Sequence, residues 1–184
     1  MTERKAMRLT LLIDRIKTPI GELAIVADEH DRLRAVEWSD HDDRMHQSFR
    51  LHYGKDGYAL KNTRNPSGFS AALRAYFDGE VAAIDGLKVA TGGTEFQKSV
   101  WKALRSIPCG ETISYATLAE RVGRPKAIRA AGHANGDNPI SVVVPCHRVV
   151  GTNGSLTGYG GGIERKRWLL AHEKAAQPAN GSRQ

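Results

Sequence analysis

The apolar residues of this chain change their period part-way along it, and that change limits the fold more than any other feature. LTLLIDRI, LAIVAD and RAVEW, separated by the turn signals TPIGEL and DEHDRL, show the short alternating runs of strands. They predict an antiparallel meander. From Thr94 onward the apolar spacing becomes helical: Phe96, Val100, Trp101, Leu104 and Ile107 form one stripe, and Tyr115, Leu118, Ala119 and Val122 form another. Strands followed by helices, and not alternating with them, imply an α+β chain.

Punctuation refines this division. DDRMHQSFRLHYG reads as a helix, KNTRNPSG as turns, and SAALRAYFDG as a second helix with Ser67 or Ser70 as N-cap and Gly79 as its stop. KVATGGT is a natural linker, so residues 1–90 are expected to form one domain and 91–174 a second. Thr94 can cap the next helix, which Pro108 and Gly110 end. In SYATLAERVG, Ser114 caps and Gly123 terminates. Pro125 then falls at a first helical position, ahead of the alanine-rich KAIRAAGHANG. Two helices joined by a tight glycine-containing turn make a helix-turn-helix candidate. The last ten residues, AAQPANGSRQ from Ala175, have no apolar anchor and are expected to be a disordered tail.

At 184 residues and 40% hydrophobic, the chain can build one ordinary core or two small ones. Its only cysteines, Cys109 and Cys146, form neither a disulfide framework nor a zinc pattern, so no metal is expected and free thiols suit a reducing cytosol. The charged N-terminal segment lacks a signal-peptide core and no stretch has the length of a membrane span, which predicts a cytoplasmic protein without a membrane partner. Met1 to Ala90 holds 14 Lys/Arg against 14 Asp/Glu, whereas Thr91 to Lys174 holds 12 against 6. A basic half beside a neutral one points to a polyanion, bound with strong salt dependence.

The helix after Pro125 fits that partner. Ala127, Ala130, Ala131, Gly132 and Ala134 make it thin, Arg129 stands among them, and Arg124 and Lys126 lie near its start. Such a helix can lie close against DNA and send an arginine into a groove, or pack closely on a neighbour.

Chemistry concentrates in VVVPCHRVV, Val142 to Val150. Pro145 lacks a donor and fixes φ, so the segment must turn before Cys146 rather than run on as a central strand. A cysteine buried among valines is inert as a thiol; it becomes a nucleophile only if a base takes its proton, directly or through water. His147 can be that base, given a third group to orient it, and Glu173 is the candidate: it follows Leu169 by four and Leu170 by three in IERKRWLLAHEKA. Taken singly, Cys146 reads equally as a small buried hydrophobe and Glu173 as a solvated helix end. PCHRV lacks the second thiol of a zinc deaminase, and GYGGGIERK is neither a dinucleotide fingerprint nor a phosphate loop. It reads as a loop offering backbone N–H groups beside Tyr159.

PCHRVV, preceded by SYATLAERVGRPKAIRAAGHANGDNP and followed by GSLTGYGGGIERKRWLLAHE, resembles the methylated-DNA–protein-cysteine methyltransferases (O6-alkylguanine-DNA alkyltransferases), most closely the bacterial Ogt type. The resemblance implies a ribonuclease-H-like α/β roll followed by a mainly helical domain, no cofactor, and direct-reversal repair of DNA. Cys146 would accept the alkyl group from O6-alkylguanine, and also O4-alkylthymine, with His147 as water-relayed base and Glu173 as its orienting partner. Asn138 would be a hinge behind the active segment. Tyr115 would assist nucleotide flipping and protonate guanine N3, and Arg129 would fill the gap left in the duplex. The DNA surface would include Ala130, Gly132, Arg124 and Lys126, approaching the minor groove of double-stranded DNA as a monomer. Tyr159, Gly160 and the backbone of Val149 would line the base pocket. Gly160 stands where animal relatives carry serine. With no way to cleave the resulting thioether, each molecule would act once. The rivals are a Cys-His-Glu hydrolase and a helix-turn-helix protein in which Cys146 merely packs.

Overall fold

A computed structural model describes residues 7–176. Strands β1 (Leu9–Thr18), β2 (Gly21–Asp28) and β3 (Leu33–Trp38) form the expected meander. The meander is not the whole sheet. A fourth strand, β4 (Tyr58–Asn62), pairs parallel to β1 after helix α1 (Asp42–Tyr53), giving the order β3-β2-β1-β4. Its last two residues fall within the segment read as turns. YALKN is a short edge strand with no buried residue, so its pairing with a strand 49 positions earlier leaves no local signal.

Alternation in β2 buries both faces. Leu23, Ile25 and Ala27 join the main core, while Ala24 and Val26 pack with Met45 and Phe49 of α1. Helix α2 (Phe69–Phe77) covers the other face through Phe69, Leu73 and Tyr76. Neither expected serine caps it: Gly68, at φ 78°, is the N-cap. Ser70 is buried and donates to Asp14 (2.7 Å), whereas Ser67 donates to Asp31 (2.6 Å). Gly79, at φ 108°, ends the helix as expected.

Helices α3 (Glu95–Leu104), α4 (Tyr115–Arg121), α5 (Ile128–Gly136) and α6 (Ile163–Ala175) make up the second half. Ala175 therefore belongs to α6 and not to a tail; the remainder of the expected tail, from 177, lies outside the described residues. Thr94 forms a complete capping box with Gln97, the two backbone N–H groups donating at 3.1 and 2.9 Å. Thr94→Ala should cost about 1 kcal/mol, read as a lowered urea midpoint with an unchanged slope. Ser114 caps α4, and Gly123 (φ 73°) closes it: Arg124 N–H donates to Ala119 O and Gly123 N–H to Glu120 O, a Schellman motif. Pro125 is not a first helical residue. It lies in the turn before α5, whose N-cap is Ala127.

The outer edge of β3 is where the halves meet. Leu33 bridges Val89 of the linker, and Val36 bridges Ile140, with Val36 N–H donating to Pro139 O and Ser141 N–H to Val36 O. An edge that would otherwise expose ladder groups is thus covered by the two segments flanking α3 to α5. The apolar core is continuous across the junction, running from Ile25 and Val36 to Val142, Val144 and Leu169. This seam sets residues 139–141 against Val36 and, through Arg44, ties Asn138 to Glu37.

Candidate active site

The valine run turns before Pro145, as its proline demands. Val142 sits at φ 71°, unusual for a β-branched residue, and Cys146–Arg148 form one 3-10 turn. Val149 and Val150 then make β6, a two-residue pairing parallel to β5 (Ile113–Ser114). The short turn sends Cys146 and His147 in different directions, and the two side chains are not hydrogen-bonded to each other. Cys146 faces a cavity of about 330 Å³ that Tyr115, Gly132, Tyr159 and Gly160 also line. His147 lies wholly buried behind it.

Glu173 gathers the buried charge. His147 Nε2 lies 2.7 Å from Glu173 Oε1, Arg148 Nε and Nη2 donate to its two oxygens at 2.9 Å each, and the Tyr76 hydroxyl donates at 2.8 Å. Burial alone would raise the Glu173 pKa. The His147 charge and hydrogen bond, then Arg148, outweigh it and hold the carboxyl far below the ordinary carboxylate range. An ionised carboxylate can only accept, so Nε2 carries the proton, and the Nδ1 of a neutral ring is the basic nitrogen. Nδ1 has no protein partner. The same carboxylate raises the Tyr76 phenol, already pushed up by burial.

Burial also raises the Cys146 thiol, against the Asn138 amide and the positive charges of Arg44 and Lys166. At rest it is a protonated, weak nucleophile that needs a base. Asn138 is fully enclosed, donating to Val144 O (2.7 Å) and accepting from Ile140 N–H (3.0 Å), so it ties the end of α5 to the turn carrying Cys146.

Tyr115 stands at the start of α4, its hydroxyl donating to Thr157 O at 2.8 Å. Tyr159 is half-buried with its hydroxyl enclosed near the Trp38 indole, and burial raises its phenol well above the ordinary value. Gly132 faces Tyr115, and a Cβ built on it would make only ordinary van der Waals contact with that ring, at 3.6 and 3.8 Å. Val149 is not on the cavity wall: its carbonyl accepts from Lys166. On α5 and the turn before it, Arg124, Lys126, Ile128, Arg129 and Ala130 are exposed, whereas Ala131 and Ala134 pack inward. The thinness of this helix therefore serves two sides, inward packing and an open basic face.

Several members of the site escaped sequence reasoning. Lys166 is fully buried, and its Nζ donates to Val149 O (2.6 Å), Thr157 O and Gly158 O (3.2 Å each), clamping the glycine loop to the active segment. A signal existed, since it precedes Leu169 by three and Glu173 by seven on one helical face. Arg148 bridges Glu173 and the Ile107 carbonyl, to which its Nη1 donates at 2.7 Å. Asn135 donates to Cys146 O at 3.3 Å. Tyr76, Glu37 and Arg44 come from the sheet half, where nothing local announces them.

The arrangement matches known proteins. Residues 95–175 match the family described as 6-O-methylguanine DNA methyltransferase, DNA binding domain, and residues 11–91 match its ribonuclease-like domain. A methylated-DNA–protein-cysteine methyltransferase of Shigella flexneri is 56% identical over 165 residues, covering 90% of this chain and 96% of that protein. Its Mycobacterium tuberculosis counterpart is 45% identical over 170 residues, with coverage of 90% and 93%. Among solved structures, the M. tuberculosis O6-methylguanine methyltransferase superposes with a TM-score of 0.76 at 40% identity, covering 92% of this chain and 96% of that one. The same protein in complex with DNA gives 0.74 at 40% identity, with the same coverage.

Proposed function

Because the chain belongs to the 6-O-methylguanine DNA methyltransferase family, whose relatives are named methylated-DNA–protein-cysteine methyltransferases, we propose that it repairs DNA by moving the alkyl group of O6-alkylguanine, and of O4-alkylthymine, onto Cys146. The carrying observation is a buried thiol opening on a cavity, with a histidine behind it whose far nitrogen is held by an ionised glutamate.

The target base cannot be reached inside the stack, so it must rotate out, at a cost of roughly a few kcal/mol. Helix α5, as the second helix of a helix-turn-helix, lies at the minor groove of double-stranded DNA. Arg129 fills the gap there, Ala130 and Gly132 allow close approach, and Arg124 and Lys126 meet phosphates; the exposure of the first two and last two supports this surface. In the cavity a water passes the thiol proton to His147 Nδ1. The thiolate attacks the alkyl carbon, a carbon–sulfur bond forms as the carbon–O6 bond breaks, and the electron pair leaves with guanine, which takes a proton at N3 from the Tyr115 hydroxyl. Glu173 stabilises the imidazolium, and Asn138 holds the hinge. The base rests against Tyr159, Gly160 and the segment backed by Val149.

The product thioether has no good leaving group, so each chain acts once, as a monomer. A cytoplasmic location agrees with the finding that no helix among the described residues is long and apolar enough to cross a membrane. Neither a hydrolase nor a purely DNA-binding protein accounts for the family match together with this site.

Mixing the protein with a duplex carrying one O6-methylguanine, then taking intact and peptide masses, tests the reading. The expected result is a single added methyl, confined to Cys146, with one unmodified guanine restored per chain. Binding with no mass gain would refute transfer. Repair continuing past one equivalent would refute the single turnover.

A further inference from the structure

One wall of the cavity comes from the sheet half. Arg44, in the first turn of α1, lines the same cavity as Cys146, Tyr159 and Gly160. Its guanidinium is fixed on three sides: Nε donates to Glu37 Oε2 at 2.9 Å, Nη1 to Gly136 O at 3.1 Å and Nη2 to Asn138 O at 3.4 Å. Glu37 is itself only 3% exposed, and its second oxygen accepts from Trp38 N–H at 3.0 Å. The pair is therefore anchored in β3, at the seam that joins the halves.

Gly160 faces this guanidinium. A Cβ built on it would lie 2.7 Å from Arg44 Cζ and 2.8 Å from Nη2, and closer still to Nη1. The end of an arginine can usually swing aside. Here three acceptors hold it, and moving it would leave the buried Glu37 carboxylate without its cation.

We propose that the Arg44 guanidinium occupies the volume a side chain at position 160 would take, and thereby limits the size of the alkyl group that the cavity can present to Cys146. This rests on the alkyl-transfer reading above and names a specificity determinant for it. It also gives the sheet half a direct part in the chemistry: β3 and α1 together place a group on the cavity wall that the helical half does not supply.

The test uses duplexes carrying either O6-methylguanine or O6-benzylguanine, each mixed with saturating excess protein so that DNA affinity drops out of the single-turnover rate. Arg44→Ala alone would strand Glu37, so the background is Glu37→Gln/Arg44→Ala, its folding checked by near-UV circular dichroism. Gly160→Ser is made in the natural chain and in that background. We expect the serine to slow methyl transfer about tenfold in the natural chain and less than about twofold in the background, and the benzyl-to-methyl rate ratio to rise at least about fivefold once Arg44 is gone. Equal losses from the serine in both backgrounds, an unchanged ratio, or a background that does not fold would overturn the proposal. Failure of the natural chain to methylate Cys146 would instead overturn the transfer reading itself, so the two failures are distinguishable.

Discussion

Glu173→Gln should destabilise the protein by about 3–5 kcal/mol and slow transfer by about 10²- to 10⁴-fold. Glutamine keeps the volume but removes the charge, leaving Arg148 buried without its counter-ion and setting an amide N–H₂ against donors that need an acceptor. The tautomer argument fails at the same time: without a carboxylate to hold the proton on Nε2, His147 Nδ1 is no longer the assured base. The effect has a defined pH signature. Glu173 is held below its ordinary value of 4.5, so its contribution is fully present above that pH and is lost as pH falls toward the folded value. The natural chain should therefore lose stability progressively below about pH 4.5, while the glutamine variant lacks this component and the two curves converge in acid. Urea unfolding at about pH 7 and about pH 3 measures it. A constant difference between the curves across that range would mean that the carboxylate's charge is not what holds the cluster.

The example of Glu173 shows what could be read in the sequence and what could not. Its helix face, its distance from Leu169 and the chemistry of Cys146 and His147 are local facts, and the structure brings all three residues to one place. Arg148 adjoins them in sequence, yet its partner lies 25 positions on, and only the folded chain supplies it. Lys166 shares the stripe with Glu173, but a lysine on an apolar face ordinarily extends its amine to water; its burial depends on three carbonyls from a loop. The sheet was legible where neighbouring strands pair through tight turns. It was not legible at β4, whose partner is distant and whose few apolar residues are half-buried. The same non-locality hid Arg44 and Glu37. Arg44 reaches the cavity, held by Glu37, because the segment 139–141 pairs with the edge of β3, a contact that no periodicity encodes. Cap assignments divided likewise. Thr94 and Ser114 precede strongly patterned helices and cap them, whereas α2 starts from a glycine because Asp14 and Asp31 draw both candidate serines into tertiary hydrogen bonds.

Cys146→Ala should abolish alkyl transfer completely while leaving duplex affinity within about twofold, since no DNA-facing group changes. The proposed function places its two parts on different surfaces: the thiol is 6% exposed at the bottom of the cavity, and Arg124, Lys126 and Arg129 stand on the open face of α5 and its preceding turn. The neutral thiol behaves in the resting protein as a small hydrophobe, so its removal should change stability by only about 1 kcal/mol. Because the variant binds without reacting, it permits an equilibrium measurement that the natural chain would confound. Two cations meeting phosphates, Arg124 and Lys126, should give a slope of about −2 in log affinity against log salt, and charge removal at either should make that slope shallower by about one. Preference for the lesion-bearing duplex should persist, because the extruded base is held by the cavity wall and not by sulfur. If alanine also removed duplex binding, the cysteine segment would have to be a support for α5 and the separation of docking from chemistry would fail. Residual transfer in the variant would be still more decisive, since it would move the acceptor to another residue altogether.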